Sequence, residues 1–258
     1  MAALCCYPLL IFLGLERLVL TYKLLFKKNH KDVQLMSNVL TVDGQLSILD
    51  QSQIEPYLDV TKGEYTAYIM PVKPANLAIA QAVRSVHIRH LHNAGYRGYD
   101  EVIDDTCHRS GIYFFVCKDS RVVLLARVNF RSTQVFPFEM GVTDAGKQYS
   151  YLPAEHAADI NTYSVEMRHI RRSSPLLLAC LGRFLRAEQV TRLFCLVDQN
   201  NSVTRRMYDM AGFRYSLEFN QPIHFESFVN SADDQPTRWK ILEMAEAEIS
   251  GLGERTLR

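Results

Sequence analysis

The chain has almost no net charge. Its 29 lysines and arginines stand against 28 aspartates and glutamates, a formal +1 over 258 residues. That excludes a globally basic nucleic-acid binder. The six cysteines, Cys5, Cys6, Cys107, Cys117, Cys180 and Cys195, lack any paired-ligand spacing. Cys117, Cys180 and Cys195 lie in apolar runs and read as small core residues of a protein in a reducing, cytoplasmic compartment. No metal site is expected. His87, His90 and His92 cluster, but no cysteine or acid stands at ligand spacing beside them, so they read as a solvated or half-packed helix face. An uninterrupted apolar run of the roughly 20 residues that a bilayer crossing needs is also missing. Ala2 to Leu15 comes near, but Glu16 and Arg17 interrupt it. Lys27, Lys28 and Lys31 follow the apolar stretch, the reverse of the charge order in a secretory signal, and no small-residue cleavage motif is present. Residues 1–31 therefore read either as an amphipathic segment lying on a membrane surface with a basic flank, or as a helix packed on the domain or on another copy.

What the chain does have is enough apolar side chain, 48%, for one substantial core. After an irregular lead-in over 32–64, with Asp43-Gly44 as a tight turn, Tyr65 to Val72 has strand composition. A helical stripe runs over 75–93 through Leu77, Ile79, Val83, Val86 and Leu91. Tyr113–Lys118 and Arg121–Phe130 predict a hairpin around Asp119-Ser120. Residues 131–160 read as a long insertion of the lid or binding-loop type. Thr162–Ile170 alternates as a strand. Ser174 as N-cap and Pro175 at the first helical position then open a helix over 176–187. Arg192–Asp198 reads as a buried parallel-type strand. Arg214–Phe219 and Ile223–Phe228 read as the last strands, and Pro236–Ile249 as a closing helix. The expected division is a segment over 1–31, the lead-in over 32–64, a mixed α/β domain over 65–230, and a C-terminal helix and tail over 231–258.

The stretch 201–213 carries the most functional information. Asn201 follows the Arg192–Asp198 strand, Tyr208 stands seven residues on, and Gly212-Phe213 ends the helix with a C-cap. That spacing, with the element order around it, resembles the C-terminal signature of the GCN5-related N-acetyltransferase fold. The resemblance implies a mixed central sheet flanked by helices, with an acyl thioester between two splayed strands. It places Asn201 near the pantetheine arm and Tyr208 near the leaving sulfur. Taken from the residues alone, Tyr208 reads equally well as an ordinary half-buried helix aromatic.

Further upstream stand Arg84, Asp105 before the hairpin, Arg127 on its second strand, and Glu166 and Arg168 at the end of the next strand. This order resembles the acyl-homoserine lactone synthases and, more closely, the bacterial long-chain N-acyl amino acid synthases. The lactone synthases carry an aromatic pair and a second acid that have no counterpart here, with His108 near the second acid's place. The resemblance implies transfer of a fatty acyl group from acyl carrier protein to an amino acid or a similar small amine. In it Glu166 would accept the amine proton, Tyr208 would protonate the sulfur, and Arg84, Asp105, Arg127 and Arg168 would line the acceptor site. The structural readings beside these are ion pairs: Glu166 with Arg168, and the two arginines with Asp104 or Asp105.

The donor loop departs from the usual Arg-x-x-Gly-x-Gly pattern. It reads Arg171-Arg172-Ser173-Ser174, without glycine, at an expected helix N-terminus. From Arg168 to Arg214 nine arginines face Glu188, Asp198 and Asp209, a surplus of 9 − 3 = +6. Both features suit a single phosphopantetheine phosphate on an acidic carrier protein. Unrelated surface charge is the competing reading. The expected donor is acyl-phosphopantetheine on the carrier protein, or acyl-coenzyme A, with no tightly bound cofactor. The alternatives are a coenzyme-A-dependent N-acetyltransferase and an inactive membrane-associated binding module.

Overall fold

A computed structural model describes residues 60–99, 103–119, 121–131, 135–151 and 156–252. The expected N-terminal membrane segment, the lead-in turn at Asp43-Gly44, and Cys5 and Cys6 lie outside the described residues. No helix among the described residues is long and apolar enough to cross a membrane.

Strands β1 (Val60–Lys62) and β2 (Tyr65–Pro71) precede a 3-10 turn and helix α1 (Leu77–Asn93). Strand β3 (Tyr96–Arg97) and the short α2 (Asp105–His108) lead into the hairpin β4 (Ile112–Lys118) and β5 (Arg121–Phe130). Helix α3 (Pro137–Met140) and β6 (Val142–Thr143) come next. Strand β7 (Ala157–Val165), a 3-10 turn at Met167–His169, helix α4 (Ile170–Ala187) and β8 (Arg192–Asp198) form the crossover. Helix α5 (Ser202–Ala211) and strands β9 (Arg214–Tyr215), β10 (Ile223–His224), β11 (Val229–Asn230), β12 (Gln235–Pro236) and β13 (Trp239–Ala245) follow, and α6 (Glu246–Gly251) closes the described chain.

The main sheet runs β1-β2-β4-β5-β7-β8-β13-β10-β6, with β9 beside β13, and β12-β11-β3 form a small second sheet. Every neighbouring pair in the main sheet is antiparallel except β7 and β8. Helix α4 supplies the crossover that a parallel pair requires. Its buried face, including Leu177, Leu181 and Phe184, covers one side of the sheet. Helix α1 packs Val83 and Val86 on the other side, beside an aromatic cluster of Phe136, Phe138, Tyr151, Phe194 and Phe219. The mixed sheet flanked by helices, and the strand–helix–hairpin–strand–helix–strand–helix order, are those expected. Cys117, Cys180 and Cys195 are buried in apolar surroundings.

Five expected elements differ. The strand expected at Thr162–Ile170 is β7, which begins at Ala157 inside the expected insertion and ends at Val165. The chain then turns through a 3-10 segment, and α4 starts at Ile170, so Ser174 is not an N-cap and Pro175 lies inside the helix. Proline here removes one backbone bond, to Arg171. The early start buries Ser173 fully, and its hydroxyl donates to the His169 carbonyl at 2.9 Å. The expected strands at 214–219 and 223–228 shrink to β9 and β10. The expected helix over Pro236–Ile249 is mostly β13, which pairs residue for residue with β8 from Trp239↔Asp198 to Ala245↔Arg192. Leu, Glu, Met and Ala favour helices. A full ladder beside a buried strand overrides that local preference, because both faces of β13 are covered. The last described residue is held just as closely: a Cβ added at Gly182 would meet the Leu252 carbonyl oxygen at 2.1 Å.

Candidate active site

Strands β7 and β8 pair only from Ala157↔Arg192 to Ile160↔Cys195. Beyond that each runs on unpaired with the other, to Val165 and Asp198. A bulge marks the point of divergence: Arg127 lies opposite Thr162 and Val128 opposite Ile160, which leaves Asn161 as the extra residue. Asn161 is well anchored. Its Oδ1 accepts from Arg127 Nε at 2.7 Å, its Nδ2 donates to Asn129 Oδ1 at 2.8 Å, and its carbonyl accepts from Tyr99 Oη at 2.8 Å.

The wedge between the two strands is open. A cleft of about 640 Å³ passes through it, walled by Thr162–Val165 on one side and Leu196–Asp198 on the other. The backbone of β7 has a definite polarity here. Glu166 N donates to Val123 O at 2.9 Å, across the register that sets Ser164 opposite Leu125. By alternation, the amides of Tyr163 and Val165 point away from β5, toward the open edge. On the α5 side stand Tyr208, Met207 and Thr204, with Met167 of the 3-10 turn and Ile170 at the start of α4. On the other side stand His87, His90, Tyr96, Tyr99, Phe228 and Trp239.

The 201–213 signature folds as expected. Asn201 caps α5, its Oδ1 accepting from Thr204 N at 3.0 Å, and it also lines the cleft. Gly212 has φ 108°, a left-handed conformation that favours glycine, and its N–H reaches the carbonyls of Tyr208 and Asp209. Phe213 packs edge-on to Tyr208, with ring centroids 5.2 Å apart, and Tyr163 covers Tyr208 from β7 at 6.2 Å. Burial pushes the Tyr208 phenol well above its ordinary range. In this surrounding Tyr208 is a hydrogen-bond donor rather than a group that ionises.

The other expected site residues are placed differently. Arg127 is fully buried, and its guanidinium holds Asp104, the Tyr113 hydroxyl at 3.2 Å and the Tyr99 hydroxyl at 3.2 Å. Arg84 holds Asp104 and Asp105. Both arginines, with Asp105, belong to an ionic cluster behind the cleft wall and are not among its lining residues. Glu166 and Arg168 were expected on one face of a strand. Glu166 instead ends that strand and Arg168 lies in the 3-10 turn. The Glu166 carboxylate bridges Arg121 at 2.6 Å and Arg168 at 3.0 Å, and it too is absent from the lining. Arg171 and Arg172 are exposed on the first turn of α4, directly after Ile170, while Ser173 is buried and Ser174 lies 3.2 Å from the Tyr163 hydroxyl. The arginine surplus is partly self-neutralised: Arg192 pairs with Glu218 and Glu243, and Arg205 with Asp209.

Three wall residues had no place in the sequence reading of the site. His87 is buried, its Nδ1 lies 2.6 Å from Ser164 Oγ, and its Nε2 has no hydrogen-bond partner. Burial, with Arg127 nearby, pushes its pKa well down, so the imidazole is neutral. Tyr96 donates to Asp198 at 2.5 Å, across 102 positions of sequence. The signal for Asp198 was visible, an acid ending an apolar strand. The signal for His87 and Tyr96 was not, because their roles depend on which face of α1 and β3 meets the wedge.

No family model and no curated protein matches the chain. Solved structures do overlap with it. The ribosomal-protein-S18-alanine N-acetyltransferase of Escherichia coli is 11% identical over 69% of this chain and 93% of that one, with a TM-score of 0.41. An acetyltransferase of the GNAT family from Streptococcus pneumoniae is 12% identical over 69% and 99%, with a TM-score of 0.44. Mycobacterium smegmatis RimJ, in complex with CoA-disulfide, is 14% identical over 74% and 88%, with a TM-score of 0.42. Overlaps of this size assign neither reaction nor substrate.

Proposed function

We propose that the chain is an N-acyltransferase that moves an acyl group from a phosphopantetheine thioester to the amine of a small acceptor. The observation that carries this reading is the wedge. Two strands of one sheet part at a bulge, and a cleft runs through the gap from the α5 side to the α1 side. A thioester arm lying between β7 and β8 would meet the outward amides of Tyr163 and Val165, suited to a carbonyl oxygen that gains charge during attack. The acceptor would enter from the opposite side, so amine and thioester carbon would meet end to end.

The chemistry is aminolysis. The amine nitrogen attacks the thioester carbon, the C–S bond breaks, and an amide and a thiol result. We place His87 as the acceptor of the amine proton because it lines the cleft and Ser164 orients its ring. Glu166, the base expected from the sequence, has its oxygens committed to Arg121 and Arg168. It remains a positioning group at the end of β7. Tyr208, on the donor wall, donates a hydrogen bond to the departing sulfur, and Asn201 faces the same arm.

For the donor we propose a fatty acyl group on acyl carrier protein, which would dock at Arg171 and Arg172 beside the start of α4. Acyl-coenzyme A presents the same thioester and is the other arm of the test. Purified protein is incubated with each donor and a panel of small amines, and thiol release and product mass are followed. An acylated amine from the carrier-bound donor supports the full reading. Product from coenzyme A alone removes the carrier protein. No acylated amine from either donor sinks the proposal.

A further inference from the structure

Asp198 ends β8 on the acceptor side of the cleft, only 7% exposed. Tyr96 Oη donates to its Oδ2 at 2.5 Å and Asn200 N to its Oδ1 at 2.8 Å. Each carboxylate oxygen still has a lone pair for another donor. Trp239 lies directly opposite Asp198 in the β8–β13 ladder, so indole and carboxylate share one face of the sheet. Phe228 stacks 4.9 Å from Trp239, and Tyr96 lies 5.8 Å from Phe228, ring centre to ring centre. All four side chains line the cleft. Among the described residues lining it there is no lysine or arginine. The remaining titratable groups on that wall are His87 and His90, both pushed down in pKa chiefly by burial, and Tyr99.

We infer that this corner holds an alkylammonium group, and that the acceptor is an aliphatic diamine or related polyamine without a carboxylate. The inference rests on the N-acyltransferase reading for the reacting end of that acceptor. A cation in the corner gains the Asp198 charge and the aromatic surroundings of Trp239 and Tyr96, which favour a desolvated ammonium over an anion. A carboxylate there meets Asp198 with no cation to offset it, because Arg84 and Arg127 are consumed by Asp104 and Asp105. One nitrogen stays protonated in the corner. The other, as the neutral amine, attacks the thioester carbon and gives one proton to His87. The C–S bond breaks, its electron pair leaves with sulfur as a thiolate that takes up a proton from water, and His87 returns its proton to solvent.

The matched probes are 1,4-diaminobutane and ornithine, which differ by one carboxylate. Binding to the full chain is measured by calorimetry and turnover by thiol release. The diamine is expected to bind about tenfold or more tighter than ornithine, and Asp198→Asn to lose about tenfold or more of that affinity. Asparagine keeps an acceptor for Asn200 N. If Asp198→Asn does not fold, Trp239→Leu decides: Trp239 Nε1 has no partner to orphan, and diamine affinity falls while the ornithine value stays. Equal binding of the two probes, or variants with unchanged diamine affinity, overturns the inference. Ornithine acylated in preference to the diamine also overturns it while leaving an acyltransferase. Diamine binding that depends on Asp198, without turnover from any thioester, leaves this site and removes the proposed reaction.

Discussion

His87 Nδ1 lies 2.6 Å from Ser164 Oγ, and this one contact ties the buried face of α1 to the strand that parts from β8. It fixes the ring through Nδ1, and Nε2 is buried without a hydrogen-bond partner. If His87 takes the amine proton, His87→Gln lowers kcat by about 10²-fold. Ser164→Ala, which loosens the ring without removing it, costs less. Steady-state kinetics with a melting curve of each variant check this. Wild-type kcat in a folded His87→Gln protein would reduce His87 to packing.

Tyr208→Phe keeps the ring contacts with Tyr163 and Phe213 and removes only the hydroxyl. The expected result is a kcat lower by about tenfold or more with little change in donor KM, as for a group that acts in the transition state. An unchanged kcat takes Tyr208 out of the mechanism.

Arg127 should matter to stability before it matters to substrate. Arg127→Met leaves the buried Asp104 short of a partner and removes the donors that reach Asn161 Oδ1 and the Tyr99 and Tyr113 hydroxyls. Loss of one partner of a buried pair typically costs about 3–5 kcal/mol, and urea unfolding measures it. A variant with wild-type stability and a raised acceptor KM would restore the substrate-gripping role expected from the sequence.

Asp159 gives a pH dependence whose sign follows from its surroundings. Burial raises its carboxyl from an ordinary 3.8 to about 8, against the smaller opposing effects of Asn161 and Arg127. The folded chain therefore holds a proton that the unfolded chain has released, over the window from about 4 to 8. Stability falls as pH rises through that window. Asp159→Asn removes this contribution, so the difference in unfolding free energy between variant and wild type grows from pH 5 to pH 8. A difference that does not change with pH contradicts the assignment.

Carrier docking makes a separate prediction. Changing Arg171 and Arg172 together to glutamate slows transfer from acyl carrier protein, and high salt slows the wild type in the same way. Transfer from acyl-coenzyme A is the control. Equal loss with both donors places the arginines in the thioester site, and no loss with either removes them from donor recognition.

The sequence by itself determined the elements whose signals are local. The hairpin, the α1 stripe, the buried β8 run and the Asn201–Gly212 caps of α5 each depend on residues within one or two turns of each other, and each formed where it was read. The apolar composition was legible as enough for one core, but the sheet divides the buried side chains into clusters on its two sides. Tertiary structure decided what depends on distant partners. β13 became a strand against its own helical composition because β8 offered a complete ladder. α4 took in Pro175 because Leu176 and Leu177 beside it are buried in the core against the sheet. Arg84 and Arg127 were legible as charged positions, but whether they face a substrate or an acid is set by where Asp104 lands, and it lands between them. Asp198 lies 102 positions from Tyr96 and still farther from His87, and only the parting of β7 from β8 gives the three a common cleft to face.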